Sequence, residues 1–163
     1  MRFSIVAAFA LIAASSVHAQ TAAPVTAPST APMPDLRYAS PVPGDWSYSG
    51  AAGGTQAAFR DAATRRAQLT IRCTLAGRLV TISKPSAAAV PFLLVWTSSS
   101  SKSFAATFDP ATAQVSATVQ SNNDILDAMA FSRGRFAISV EGAPPLVLPS
   151  QPEVARVVED CRG

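Results

Sequence analysis

The chain has 163 residues, with 13 Lys and Arg against 10 Asp and Glu, a formal net charge of +3. Its basic residues are scattered, which argues against a nucleic-acid partner, because phosphate binding takes a clustered basic face. The single histidine, His18, falls within a segment that reads as removable, so histidine-dependent catalytic triads and dyads are excluded from the mature protein.

Residues 1–19 have the parts of a cleavable secretory signal peptide in the right order. Arg2 supplies the positive start, Ile5 to Ala14 an apolar run, and Val17-His18-Ala19 a small-x-small cleavage pattern. An apolar run of about ten residues is too short to span a bilayer, which takes about 20. No cysteine follows it for a lipid anchor and no second run of spanning length occurs. The expectation is a soluble product of the periplasm or exterior, beginning near Gln20, with no integral membrane span and a charge of +2 once Arg2 is lost (12 basic against 10 acidic residues). Residues 20–43 are rich in Pro, Ala, Thr and Ser and show no apolar periodicity. They read as a disordered leader, with Leu36 and Tyr38 as its only candidates for contact with a domain.

A β-rich domain is expected from Gly44 to Gly163. Trp46 and Tyr48 alternate in a first strand, Gly50 to Gly54 turns, and Gln56 to Arg60 returns with Phe59. Leu69, Ile71 and Cys73 point inward from the next strand, between the outward Gln68, Thr70 and Arg72. Ala76-Gly77 reads as a hairpin turn and Leu79 to Ser83 as its returning strand. Pro91 to Thr97 is apolar on both sides, which suits a central strand. Ser98 to Ser101 is a loop tip. Phe104, Ala106 and Phe108 then alternate as one run, as do Val115, Ala117 and Val119.

The period changes at Asn123. Ile125, Leu126 and Met129 stand at helical spacing, with Asn123 as N-cap and Asp124 and Asp127 in the first turn. A strand from Arg135 to Glu141 turns Phe136, Ile138 and Val140 inward, and Leu146 to Leu148 makes a last short strand. Ser150-Gln151-Pro152-Glu153 reads as a capping box with Ser150 as N-cap. Val154, Val157, Val158 and Cys161 then form one apolar helical stripe. The elements add up to a mostly β fold, a β-sandwich or open antiparallel barrel, with two short helices, one C-terminal.

Cys73 and Cys161 are the two cysteines. The oxidising compartment and the core-facing position of Cys73 favour a structural disulfide over free thiols or a redox pair, for which the Cys-x-x-Cys spacing is missing.

Other chemical signals are sparse. Ser99 to Lys102 contains S-x-x-K and Ser121-Asn122-Asn123 faintly echoes S-x-N, but no K-T-G accompanies them. Asp124 and Asp127 form a possible carboxylate pair, better explained as stabilising a helix start. No metal or cofactor motif is present. Arg133-Gly134-Arg135 is the best candidate binding site, because two guanidinium groups flank a glycine at a helix-to-strand junction, with Arg60, Arg65, Arg66 and Arg72 as possible additions.

The stretches DAMAFSRGRF and PEVARVVEDCR, with the LTIRC strand, resemble uncharacterised exported proteins of alphaproteobacteria. The order of elements from Gly44 to Cys161 is similar, more remotely, to small periplasmic accessory proteins associated with type VI secretion. The resemblance implies a β-rich domain with a Cys73–Cys161 bond and no known catalytic residues. The expectation for function is a non-enzymatic accessory or binding domain of the bacterial envelope, whose partner is an envelope protein or acidic ligand. Two other classes stand beside it: an inhibitor of an envelope hydrolase, and a small histidine-independent enzyme using Lys or carboxylates. No sequence feature assigns an oligomeric state.

Overall fold

The computed structural model describes residues 35–163. The expected signal peptide and residues 20–34 of the expected leader lie outside the described residues. Ten strands and two helices follow in the order β1 (Gly44–Ala51), β2 (Gly54–Asp61), β3 (Ala67–Thr74), β4 (Leu79–Pro85), β5 (Phe92–Trp96), β6 (Ser101–Ala105), β7 (Thr107–Asp109), β8 (Gln114–Gln120), α1 (Asp124–Ala130), β9 (Arg135–Val140), β10 (Leu146–Pro149) and α2 (Pro152–Arg162). A single 3₁₀ turn, Leu75–Gly77, joins β3 to β4. The strands form two antiparallel sheets, ordered β1-β2-β3-β4-β8-β7 and β10-β9-β5-β6.

Alternation explains the core. Trp46 lies opposite Phe59, which lies opposite Leu69; Ile71 faces Ile82, and Ile82 faces Ala117. Alternate residues of β2, β3, β4 and β8 therefore enter the same buried cluster, which Leu93, Val95, Phe136, Ile138 and Leu148 meet from the smaller sheet. β5 is central in its sheet and buried on both sides, as its unbroken apolar run predicts. Leu93 and Val95 join the main core, while Leu94 and Trp96 belong to a second, outer cluster.

One expected strand is two. The Phe104–Phe108 run leaves the smaller sheet at Ala105 and enters the larger at Thr107. At the corner between them, the Ala106 N–H donates to the Pro91 carbonyl. Side-chain alternation survives such a bend, so the sequence pattern reads through it.

The opposite seam, between β1 and β10, is closed differently. The Trp46 indole N–H donates to the Pro149 carbonyl at 2.9 Å, and the ring packs against Phe59 and Phe136. The Val42 N–H donates to the Val147 carbonyl, so the chain entering β1 runs beside β10. Of the segment expected to be disordered, residues 35–43 are thus in contact with the domain: Val42 packs on the main core, and Leu36 and Ala39 on the outer cluster. Tyr38 remains exposed.

α1 is capped as predicted, the Asn123 side chain accepting from the Ile125 N–H. The capping box of α2 does not form. The helix begins one residue later, with Pro152 first and Gln151 as an extended N-cap that makes no side-chain cap. The Ser150 hydroxyl is engaged elsewhere, shared between the Met129 and Ala130 carbonyls at 2.9 Å each. It therefore caps the C-terminus of α1, whose last carbonyls have no partner within the helix.

The apolar stripe of α2 is buried as expected. A disulfide joins Cys161 to Cys73 on β3, with Cα atoms 5.4 Å apart. Closing a loop of 88 residues stabilises a folded chain by roughly 4 to 5 kcal/mol in the chain-entropy model. Cys161→Ser is expected to lower unfolding free energy by about 2–5 kcal/mol in a denaturant titration. Ser150→Ala is expected to cost about 1 kcal/mol. It should speed amide exchange at Phe131 and Ser132, after α1, and leave the first turn of α2 unchanged.

Candidate functional site

The Arg133–Arg135 region is a corner built by two loops. α1 stops at Ala130, and the Phe131 N–H closes its last turn on the Asp127 carbonyl. Gly134 then adopts a left-handed conformation, φ 76°, that lets the chain reverse into β9. Ser132 is buried beneath this turn. Its hydroxyl accepts from the Ser98 N–H at 2.9 Å and donates to the Arg135 carbonyl. In return, the Ser98 hydroxyl accepts from the Arg133 N–H at 2.9 Å. The Ser98 loop is braced in turn by Thr97, whose hydroxyl accepts from the Ser100 N–H.

This stitching fixes the backbone on which two side chains are displayed. Phe131 is 75% exposed, and Arg133 is exposed. Among the described residues the Arg133 guanidinium makes no ion pair. Arg133 is legible from residue type, whereas Phe131 closes the helical run yet lies off its Ile125-Leu126-Met129 stripe. That offset was the available signal.

Arg135 has a different situation. It is half-buried, and its guanidinium donates to the Ala39 carbonyl. Its side chain thus holds down the segment before β1. The other arginines do not gather with them. Arg60 donates to the Arg65 carbonyl and Arg72 to the Ala52 carbonyl, each bracing its own turn.

The remaining candidate groups are engaged singly. Lys102 pairs with Asp124 at 2.8 Å, and that hydrogen bond holds the Asp124 carboxyl below the usual carboxylate range. Asp127 accepts a two-pronged bond from Arg162 at 2.8 and 3.0 Å. The two aspartates therefore answer different partners. Lys84 is half-buried, and burial lowers its pKa. Among the described residues no group of three or more His, Cys, Asp or Glu is placed to hold a metal ion.

A hollow of about 620 Å³ lies between the β1–β2 turn and the end of α2, lined by Gly53, Thr55, Leu75, Glu159 and Asp160. At its margin the Tyr48 hydroxyl donates to Asp160 at 2.7 Å, and Arg156 stacks 4.0 Å over the Tyr48 ring. The bond to Asp160 raises the Tyr48 pKa above its ordinary value of 10.0, because ionisation would set two anions together; burial raises it further, and Arg156 opposes the shift. A phenol raised in the folded state contributes stability that is fully present below the unfolded pKa and is lost as pH climbs through the folded one. In a Tyr38→Phe variant, tyrosinate absorbance is expected to rise above pH 10, and Asp160→Asn should bring that titration down.

Compared with protein-family models, curated proteins and solved structures, the chain matches none.

Proposed function

We propose that this chain is an exported, non-enzymatic accessory or binding domain of the bacterial envelope, and that it meets its partner at the α1–β9 corner. The observation that carries this reading is the pair Phe131 and Arg133, an exposed aromatic ring and an exposed guanidinium on a backbone held by reciprocal serine bonds. Aromatic and arginine side chains dominate the energetics of protein interfaces. A rigid corner presents them with little ordering cost on binding. The guanidinium favours an acidic partner surface, to which it can give two parallel hydrogen bonds.

Export is supported by the signal-like residues 1–19 and is compatible with the Cys73–Cys161 bond, since disulfides persist in oxidising compartments. Among the described residues no helix is long and apolar enough to cross a membrane.

The Phe131→Ala/Arg133→Ala double variant tests this assignment. Exposed substitutions usually change stability by about 0.5 kcal/mol or less, so the variant should keep its unfolding midpoint. Affinity capture from the envelope fraction of the source organism should recover a partner with the parent protein and lose it with the variant. Arg133→Ala alone should weaken capture and reduce its salt sensitivity. Equal recovery by parent and double variant would refute the corner.

A further inference from the structure

Lys84 and Lys102 are the two lysines of the chain, and the fold treats them differently. Lys102 lies on β6 and pairs with Asp124 at 2.8 Å. Lys84 lies on β4, where Val80, Ile82 and Lys84 occupy alternate positions. Val80 and Ile82 are fully buried, so the same alternation turns Lys84 toward the core side of the sheet. Its register partner on β8 is Val115, also fully buried, and Val115 lies opposite Phe108 of β7. The Lys84 stem thus continues an apolar rung, Lys84–Val115–Phe108, at one end of the larger sheet.

Among the described residues Lys84 makes no ion pair. β3, β4 and β8 carry no Asp or Glu. β7 carries Asp109, which alternation from Phe108 places on the opposite face of the sheet. The Asp109 carboxylate is taken by its own turn, accepting from the Ala111 N–H at 2.9 Å and the Thr112 hydroxyl at 2.8 Å. Burial without a facing counter-charge disfavours an ammonium, in accord with the lowered pKa of Lys84. The residue is only half-buried, so small solutes reach it.

We propose that Lys84, on its apolar rung and without an ion-pair partner, is a covalent acceptor site for small aldehydes. The site stands independently of the Phe131–Arg133 corner. The uncharged amine is the nucleophile in this chemistry, and a partly desolvated lysine supplies more of it at neutral pH than a solvated one. The nitrogen lone pair attacks the carbonyl carbon, forming a C–N bond while the carbonyl electrons move to oxygen. A proton passes from nitrogen to that oxygen through water, giving a carbinolamine. Departure of the hydroxyl with the remaining N–H proton, as water, leaves an imine; nothing is oxidised or reduced. Val115 and Phe108 beside the stem favour an aldehyde with a short alkyl tail over a charged one. Lys102 is the poorer acceptor, because Asp124 holds it as the ammonium.

The test treats the folded full chain with propanal and sodium cyanoborohydride at neutral pH. The reductant delivers hydride to the imine carbon and fixes each adduct as a propylamine, which peptide mass spectrometry counts at each lysine. At early times Lys84 should carry about fivefold more adduct than Lys102, or better. In guanidinium chloride, where the burial and the ion pair are both lost, the two lysines should react alike. Asp124→Asn frees Lys102, and Lys84 should still lead severalfold in that variant. Should Asp124→Asn lose its fold, about 1 M sodium chloride, which screens an exposed pair, takes its place. Adduct formation at Lys84 no faster than at Lys102 in the folded chain overturns the proposal. So does an advantage that vanishes when Lys102 is freed, which assigns it to the Lys102–Asp124 pair alone. An advantage that persists in guanidinium overturns it as well, by assigning the reactivity to local sequence.

Discussion

Trp46 holds together a circuit that the strand ladders leave open. On one side the two sheets are continuous through the bend at Ala106, but on the other β1 and β10 are free edges. The indole joins them with one hydrogen bond and two aromatic contacts, and Val42 adds a backbone bond alongside. A tryptophan suits this position because it combines a large apolar body with a single donor at its edge. Much else follows from that closure. It brings Phe136 of β9 against the β1–β2 hairpin, and it leads the preceding residues across the outer face of the smaller sheet.

The strands were legible because alternation is local. Leu69, Ile71 and Cys73 announce a buried face without reference to any partner, and the same holds for Phe136, Ile138 and Val140. The bend at Ala106 was not legible, since a strand that changes sheets keeps its period of two. Ser150 shows a different limit. Its spacing from Glu153 fits a capping box, yet the hydroxyl is drawn to two carbonyls some twenty residues earlier. Competition between a local and a distant partner is decided by tertiary geometry, which a four-residue pattern does not contain.

The same distinction runs through the candidate site. The Arg133-Gly134-Arg135 junction is legible from residue types alone, and the structure gives its two arginines separate situations. Strand alternation sends Arg135 to the outer face, where the Ala39 carbonyl meets it; Arg133 stays in the turn. Phe131 needed the fold to become visible, because exposure of an aromatic at a helix end depends on what packs beside it. Cys73 and Cys161 were paired by elimination and compartment, and the geometry joins them.

The position of the disulfide divides the chain unequally. Its covalent loop runs from Cys73 to Cys161 and encloses β4 through β10 and α1, whereas β1, β2 and most of β3 stand outside it. The β1–β2 hairpin is held by non-covalent contacts alone. A fluctuation that peels away the β1–β2 hairpin leaves the crosslink intact and does not require the looped portion to come apart. The domain therefore has a covalently bounded body and a flank outside the crosslink, joined to it along the Trp46 seam and the β2–β3 ladder. Sub-global opening of this kind exposes the Phe59 side of the core before the Leu93 side. The order in which the molecule yields is thus written into where its single crosslink begins.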